Sequence, residues 1–107
     1  MKYKTIFSLC LSLTLLPFTS VQALDGAALF KAKTCTACHG KDAKTPIMPT
    51  YPKLVGQNAD YLFNQMQDIK SGTRNNGMTV AMKGVMHLVS EAEMRAIADW
   101  LATLPQQ

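Results

Sequence analysis

Cys35, Cys38 and His39 form a Cys-x-x-Cys-His motif, which carries more chemical information than any other part of the sequence. Two thiols at this spacing can add to the two vinyl groups of one haem, and the histidine that follows is then placed to bind the iron. The motif therefore predicts one covalently attached haem c, held by Cys35 and Cys38, with His39 as the proximal iron ligand.

Two other uses of paired cysteines fit the chain less well. A structural zinc site normally has four Cys or His ligands, and after residue 23 the chain has only His87 in addition to the motif. A thioredoxin-like dithiol is expected in a βαβ context, and no alternating run of β-branched residues indicates strands. Haem attachment is the interpretation that we carry forward.

The first 23 residues have the layout of a secretory signal peptide. Lys2 and Lys4 give a basic start, residues 6–18 are mostly apolar, and small residues precede a cleavage point after Ala23. The apolar run is shorter than the roughly 20 residues of a spanning helix, which disfavours the alternative of an uncleaved anchor. We expect a cleaved signal peptide at 1–23, one domain at 24–107, a periplasmic location, and no stable membrane insertion after cleavage.

Size and charge limit the possible functions of the predicted mature chain. Residues 24–107 number 84, near the lower limit for a domain with an unaided hydrophobic core, so a buried haem would supply apolar volume around which the chain can fold. Without Lys2 and Lys4 the chain has 9 basic and 7 acidic residues. Two ionised haem propionates would bring the net charge near zero, so nucleic acid and anionic membrane are not expected as partners.

Three segments carry helix signals. The first begins at Asp25, a good N-cap residue, and extends to about Lys33; the second follows the N-cap Asn58 and ends at Gly72. The third begins at Ser90, which opens a capping box.

The segments between these helices are predicted to be irregular. Residues 40–57 contain three prolines, which remove backbone donors and disfavour helix at the preceding residue. Residues 73–89 begin with an Asn-Asn-Gly turn signal and are also predicted to be mostly irregular. The predicted fold class is all-α, with long loops that are expected to pack around another group.

In these elements the chain resembles the class I c-type cytochromes, especially the small bacterial monohaem type that also forms single domains of tandem dihaem cytochromes c. The matching segments run in order along nearly all of the predicted mature chain: residues 35–40, 52–57, 61–66, 72–74, 82–84, 90–93 and 97–101. The resemblance implies a small cytochrome c fold in which the N- and C-terminal helices cross and long loops enclose one haem. Gly26, Phe30 and Trp100 match the small and aromatic positions of that crossing.

The same resemblance implies ligands and supporting groups. The carbonyl of Pro52 is expected to accept a hydrogen bond from His39, fixing the imidazole tautomer. Met82 precedes Lys83-Gly84 and lies eight residues before Ser90, which resembles the position of the distal methionine ligand. Met78 is the main alternative.

The remaining candidate residues are expected to have roles other than iron ligation. Met66 and Met94 lie on apolar helix faces and are expected to fill the core. His87 is expected at the surface rather than on the iron. Arg74 is predicted to bond a haem propionate, with a solvated helix-end cation as the alternative.

The predicted function is that of an exported one-electron carrier, not an enzyme, with no catalytic residues and with a redox-protein donor and acceptor as partners. Residues 61–74 also resemble the haem subunits of sulfide-oxidising flavocytochromes. The alternative is therefore a haem subunit of a larger oxidoreductase complex, with a flavoprotein partner. Ligand sensing or peroxidase chemistry would require a labile sixth ligand, a possibility that the sequence leaves open.

Overall fold

The computed structural model describes residues 14–18 and 22–107, and within these ranges the chain forms five helices and no strand. The helices are α1 (Gly26–Ala32), α2 (Thr36–His39), α3 (Ala59–Ser71), α4 (Thr79–Met86) and α5 (Glu91–Thr103). The all-α prediction is confirmed. Most of the predicted signal peptide lies outside the described residues. In the described part, no helix is long and apolar enough to cross a membrane.

The predicted helix ends are present. The side chains of Asp25 and Asn58 each accept a hydrogen bond from a backbone N–H in the first turn of α1 and α3, at 3.1 and 3.0 Å. Gly72 ends α3 in the left-handed conformation, at φ 86°. At the start of α5, Ser90 and Glu93 form the complete capping box, with the two hydrogen bonds at 3.2 and 2.8 Å.

The prediction that residues 73–89 are mostly irregular is wrong, because α4 occupies Thr79–Met86. Nothing at the start of this helix marks it locally, since its N-cap Met78 makes no side-chain cap. The helix is stabilised by packing against α3, with Met86 1% exposed in the core. Tertiary contact has overridden the weak local preference of a segment that contains a glycine.

The core forms where α5 packs across α1 and α3. Gly26 of α1 lies against the backbone of Ala96 in α5, since a Cβ on Gly26 would sit 2.2 Å from the Ala96 carbonyl oxygen. This contact confirms the predicted crossing of the N- and C-terminal helices. Met66 and Met94 are 8% and 1% exposed, which confirms that they fill the core.

Candidate haem-binding site

The Cys-x-x-Cys-His motif forms a single helical turn, α2. Its N-cap is Cys35, whose carbonyl accepts hydrogen bonds from the N–H groups of Cys38 and His39, at 3.3 and 3.0 Å. Positions i, i+3 and i+4 of a helix lie on the same side, so the turn directs both thiols and the imidazole to one side of the backbone. Gly40 ends the turn at φ 84°, where a Cβ would lie 2.3 Å from the carbonyl oxygen of Thr45.

The imidazole of His39 is buried and oriented. It is 5% exposed, and its Nδ1 lies 3.1 Å from the carbonyl oxygen of Pro52. Because a carbonyl only accepts, Nδ1 must carry the proton, and Nε2 is left with its lone pair free. Burial lowers the pKa of His39, although the hydrogen bond to Pro52 acts in the opposite direction. The side chain is therefore held in the neutral form that binds metals.

A tight loop holds the Pro52 segment in place. The N–H of Leu54 donates to the carbonyl of Ala43 at 2.8 Å, and Ala43 is fully buried with φ 56°. The carboxylate of Asp42 fixes this turn by accepting from the N–H groups of Lys44 and Thr45, at 2.9 and 2.8 Å. These bonds lower the pKa of Asp42.

The roles of Asp42 and Ala43 were not predicted from the sequence. The available signal was an aspartate two and three residues before the N–H groups that it bonds, a pattern typical of turns. Tyr51 was not predicted either; its ring lies 6.4 Å from that of His39, centroid to centroid. Tyr51 is half-buried, and its ring lies beside the imidazole of His39.

The two thiols differ in environment. Cys35 is buried and Cys38 is exposed, and neither forms a disulfide. Burial raises the pKa of Cys35 to about 11, so its free thiol stays protonated at neutral pH and is a poor thiolate nucleophile. This environment is unlike that of a reactive redox dithiol. Within the described ranges, no group of three or more His, Cys, Asp or Glu side chains is placed to hold a metal ion.

The two candidate distal ligands lie on α4, which contains Met82, and at its N-cap, Met78. Met78, Met82 and Met86 recur every four residues, the spacing that aligns side chains on a helix. Their exposure falls along the helix: Met78 is 53% exposed, Met82 is half-buried against the core, and Met86 is 1% exposed. The side chain of Met82 is thus partly accessible, between the exposed Met78 and the fully buried Met86. His87, at the C-cap, is exposed, as expected.

Arg74 is attached to α3 rather than free in solvent. Its guanidinium donates to Oε1 of Gln65 at 3.0 Å, and its backbone N–H donates to the carbonyl of Asp68 at the same distance. The side chain is half-buried. A guanidinium has five N–H donors, so this anchoring leaves donors available for a carboxylate such as a propionate.

The residues present fit haem c. Two unpaired thiols and one imidazole project from the same turn, the imidazole has a free Nε2, and a half-buried thioether is available on α4. Thioether attachment with His and Met ligation uses this set of donors.

The helical fold and the Cys-x-x-Cys-His turn define a c-type cytochrome. The family model described as Cytochrome c matches residues 23–105, and the chain belongs to this family. It is a small class I c-type cytochrome that resembles one domain of dihaem cytochrome c4.

The chain is similar to several bacterial cytochromes. It is 37% identical over 100 residues to cytochrome c4 of Pseudomonas aeruginosa, covering 94% of this chain and 48% of that protein. It is 31% identical over 99 residues to cytochrome c-553 of Nitratidesulfovibrio vulgaris, covering 92% and 94%. A thiosulfate dehydrogenase electron acceptor of Stutzerimonas stutzeri is 33% identical over 91 residues, covering 78% and 41%. The chain thus spans about half the length of the cytochrome c4 that it matches.

Proposed function

We propose that this protein is an exported one-electron carrier with one haem c attached to Cys35 and Cys38 and ligated by His39 and Met82. The observation that best supports this proposal is the buried His39 imidazole, whose Nδ1 is held by Pro52 and whose Nε2 is free for iron. When bound, haem supplies an iron that changes between ferrous and ferric states, and His/Met ligation raises its potential relative to more basic ligands.

The protein residues hold the proposed iron ligands in fixed positions. The Pro52 carbonyl prevents rotation of the His39 ring, and the Asp42 turn holds the segment that carries this carbonyl. Met82, on a helix packed against α3, would fill the sixth position and leave no iron site for a substrate. Rigid ligands keep structural rearrangement between the two oxidation states small, as one-electron transfer requires.

Arg74 is proposed to bond a haem propionate. Its guanidinium is held by Gln65, so its unused N–H groups are pre-oriented for a carboxylate, which Arg binds well. The proposed partners are a redox-protein donor and acceptor in the periplasm. Because the charge of the mature haem protein is near zero, docking is proposed to rely on apolar surface more than on long-range attraction.

The distal ligand can be tested with two methionine variants. In the oxidised protein, Met82→Ala should abolish the weak near-infrared band of sulfur-to-iron charge transfer. Met78→Ala is the matched control, since Met78 lies four residues earlier on the same side of α4 and is 53% exposed; this variant should keep the band. Retention of the band in Met82→Ala and its loss in Met78→Ala would assign the iron to Met78.

A second candidate function is electron acceptance within a sulfur-oxidising system. Two relatives are named thiosulfate dehydrogenase electron acceptors, and they are 33% and 35% identical over 91 and 71 residues. A haem subunit of a sulfide-oxidising flavocytochrome is a related possibility that the sequence suggests. Copurification from the native host distinguishes a complex subunit from a free carrier. A stable complex with a dehydrogenase or flavoprotein would support the subunit function, and a freely diffusing monomer would support the carrier function.

A further inference from the structure

Two lysines from different helices reach the same short connection between α4 and α5. Lys33, the C-cap of α1, donates from Nζ to the carbonyl of Leu88 at 2.9 Å. Lys70, in the last turn of α3, donates from Nζ to the carbonyl of Val89 at 2.6 Å. Two consecutive carbonyls of one connection are thus bonded by ammonium groups from α1 and α3.

Both lysines are restrained rather than solvated. Lys33 also forms an ion pair with Glu93 at 3.1 Å, and the two side chains are 25% and 22% exposed. Glu93 is at the same time the capping-box residue of α5. Lys70 is half-buried, and the residue that it bonds, Val89, is 1% exposed. Hydrogen bonds from charged donors are stronger than neutral ones, and partial burial strengthens them further.

The position of this connection determines the position of α4. An eight-residue helix is not stable alone, and α4 packs mainly against α3. Its C-terminal end runs directly into the bonded segment through backbone hydrogen bonds from Leu88 to Val85 and from Val89 to Met86, at 3.0 and 3.1 Å. Release of Leu88 and Val89 would therefore loosen the last turn of α4.

We propose that Lys33 and Lys70 are positioning residues for Met82: by holding residues 88–89 they keep α4 in place and so keep the thioether on the iron. This inference rests on the proposed ligation by Met82. Lys33 follows α1, two residues before Cys35, so it links the haem-attachment turn to the helix of the distal ligand. Without the lysines, α4 should open locally more often, and an external ligand should replace Met82 more easily.

The test is a titration of the oxidised holoprotein with imidazole, following loss of the near-infrared sulfur band. Lys70→Leu and Lys33→Leu keep apolar volume and add no group that binds iron. Each should lower the imidazole concentration for half-loss of the band by about tenfold, as expected for loss of a hydrogen bond from a charged group. Lys70→Arg, which retains a cationic donor, should stay within about twofold of the parent protein. Lys31→Leu is the matched control: Lys31 is exposed on the same helix, two residues before Lys33, and this variant should not change the titration.

Amide hydrogen exchange of the same holoproteins separates positioning from general stability. The amides of Leu88 and Val89 should exchange faster in both Leu variants, while those of the buried Ile97 and Leu101 in α5 should not. Equal acceleration in α5 would show loss of global stability and overturn the proposal. A normal band with unchanged imidazole affinity would overturn the role of the lysines alone. Absence of the band in the parent protein would overturn the Met82 assignment and this proposal with it.

Discussion

The ring of Phe30 in α1 lies 5.3 Å from the ring of Trp100 in α5, measured between centroids, with the planes inclined by 50°. A tilted pair at this distance is among the favourable arrangements of two aromatic rings. It is possible because Gly26, one turn earlier, allows the two helix backbones to touch at Ala96. The aromatic pair and the glycine contact together fix the crossing of the terminal helices.

Gly26→Ala should destabilise the protein strongly. The new Cβ would lie 2.2 Å from the carbonyl oxygen of Ala96 and 2.5 Å from the Cβ of Trp100, so α1 and α5 must separate. Overpacking of this kind typically costs about 1–3 kcal/mol. The free energy of unfolding, from denaturant titration of the holoprotein followed by circular dichroism, is the measurement.

Gly84→Ala provides the control for the glycine substitution. Gly84 lies inside α4, and nothing would approach its Cβ within 4 Å. Alanine has the higher helix propensity, so this variant should be more stable than the parent by about 0.5–1 kcal/mol. Equal effects of the two substitutions would show that the crossing is not closely packed at Gly26.

The sequence predicted those parts of the fold that have local chemical causes. The starts of three helices were predicted from their N-cap residues, Asp25, Asn58 and Ser90. Each supplies a side-chain acceptor for an otherwise unpaired N–H group. The Cys-x-x-Cys-His turn was recognisable because Cys35, Cys38 and His39 have the spacing that covalent haem attachment requires. These features depend on residues within a few positions of one another.

What the sequence did not predict depends on distant contacts. Helix α4 forms because Met86 packs in the core. The connection between α4 and α5 is held by a hydrogen bond from Lys33 to Leu88, which is 55 residues away in the sequence. The left-handed conformation of Ala43 is supported by its bond to Leu54. The family resemblance pointed to Met82. Its half-buried position, between the exposed Met78 and the buried Met86, could not be predicted because α4 was not predicted.

The apoprotein should not fold cooperatively. Cys35→Ala/Cys38→Ala protein, made without haem attachment, would keep the caps of α1, α3 and α5 but lose the apolar group that the loop of residues 40–57 is expected to enclose. A chain of this size buries a small hydrophobic core, so loss of the haem should remove a large part of the apolar contacts. It should show little cooperative unfolding by circular dichroism, and a sharp two-state melt would contradict the idea that haem completes the core.

Acid should remove a stabilising contribution from Glu93. Hydrogen bonds from the backbone of Ser90 and from Lys33 lower the pKa of this carboxyl below its ordinary value of 4.5. A lowered folded-state pKa gives stability that is present above the unfolded pKa and is lost as pH falls through the folded value. The difference in melting temperature between the parent and Glu93→Gln should therefore be largest above about pH 5 and shrink below pH 4.5.

Glu91→Gln is the control for this acid effect. Glu91 lies in the first turn of the same helix, so the two variants remove equal charge near the same helix end. The hydrogen bond from Ser90 and the ion pair with Lys33 belong to Glu93, so above about pH 5 Glu91→Gln should lower the melting temperature less than Glu93→Gln does. Parallel pH profiles for the two variants would show that the bonds to Ser90 and Lys33 are not the source of the stabilisation.

Electron transfer with a small anionic oxidant should depend only weakly on salt. Residues of the predicted mature chain give a net charge of +2, which two propionates would cancel. The structure also engages two of its lysines internally: Lys33 pairs with Glu93 at 3.1 Å, and Lys70 donates from Nζ to the carbonyl of Val89 at 2.6 Å. These cations contribute little to a strong external field, so long-range steering should be weak.

Oxidation of the reduced holoprotein by hexacyanoferrate(III), followed by stopped flow, measures this dependence. Between low salt and physiological salt, where the screening length shortens from ~30 to ~8 Å, the rate should change by less than about twofold. Removal of one exposed cation, in Lys31→Gln, should leave the slope nearly unchanged. A steep fall in rate with salt would show that exposed lysines cluster near the haem edge, and docking through an apolar edge would then give way to docking on a basic patch.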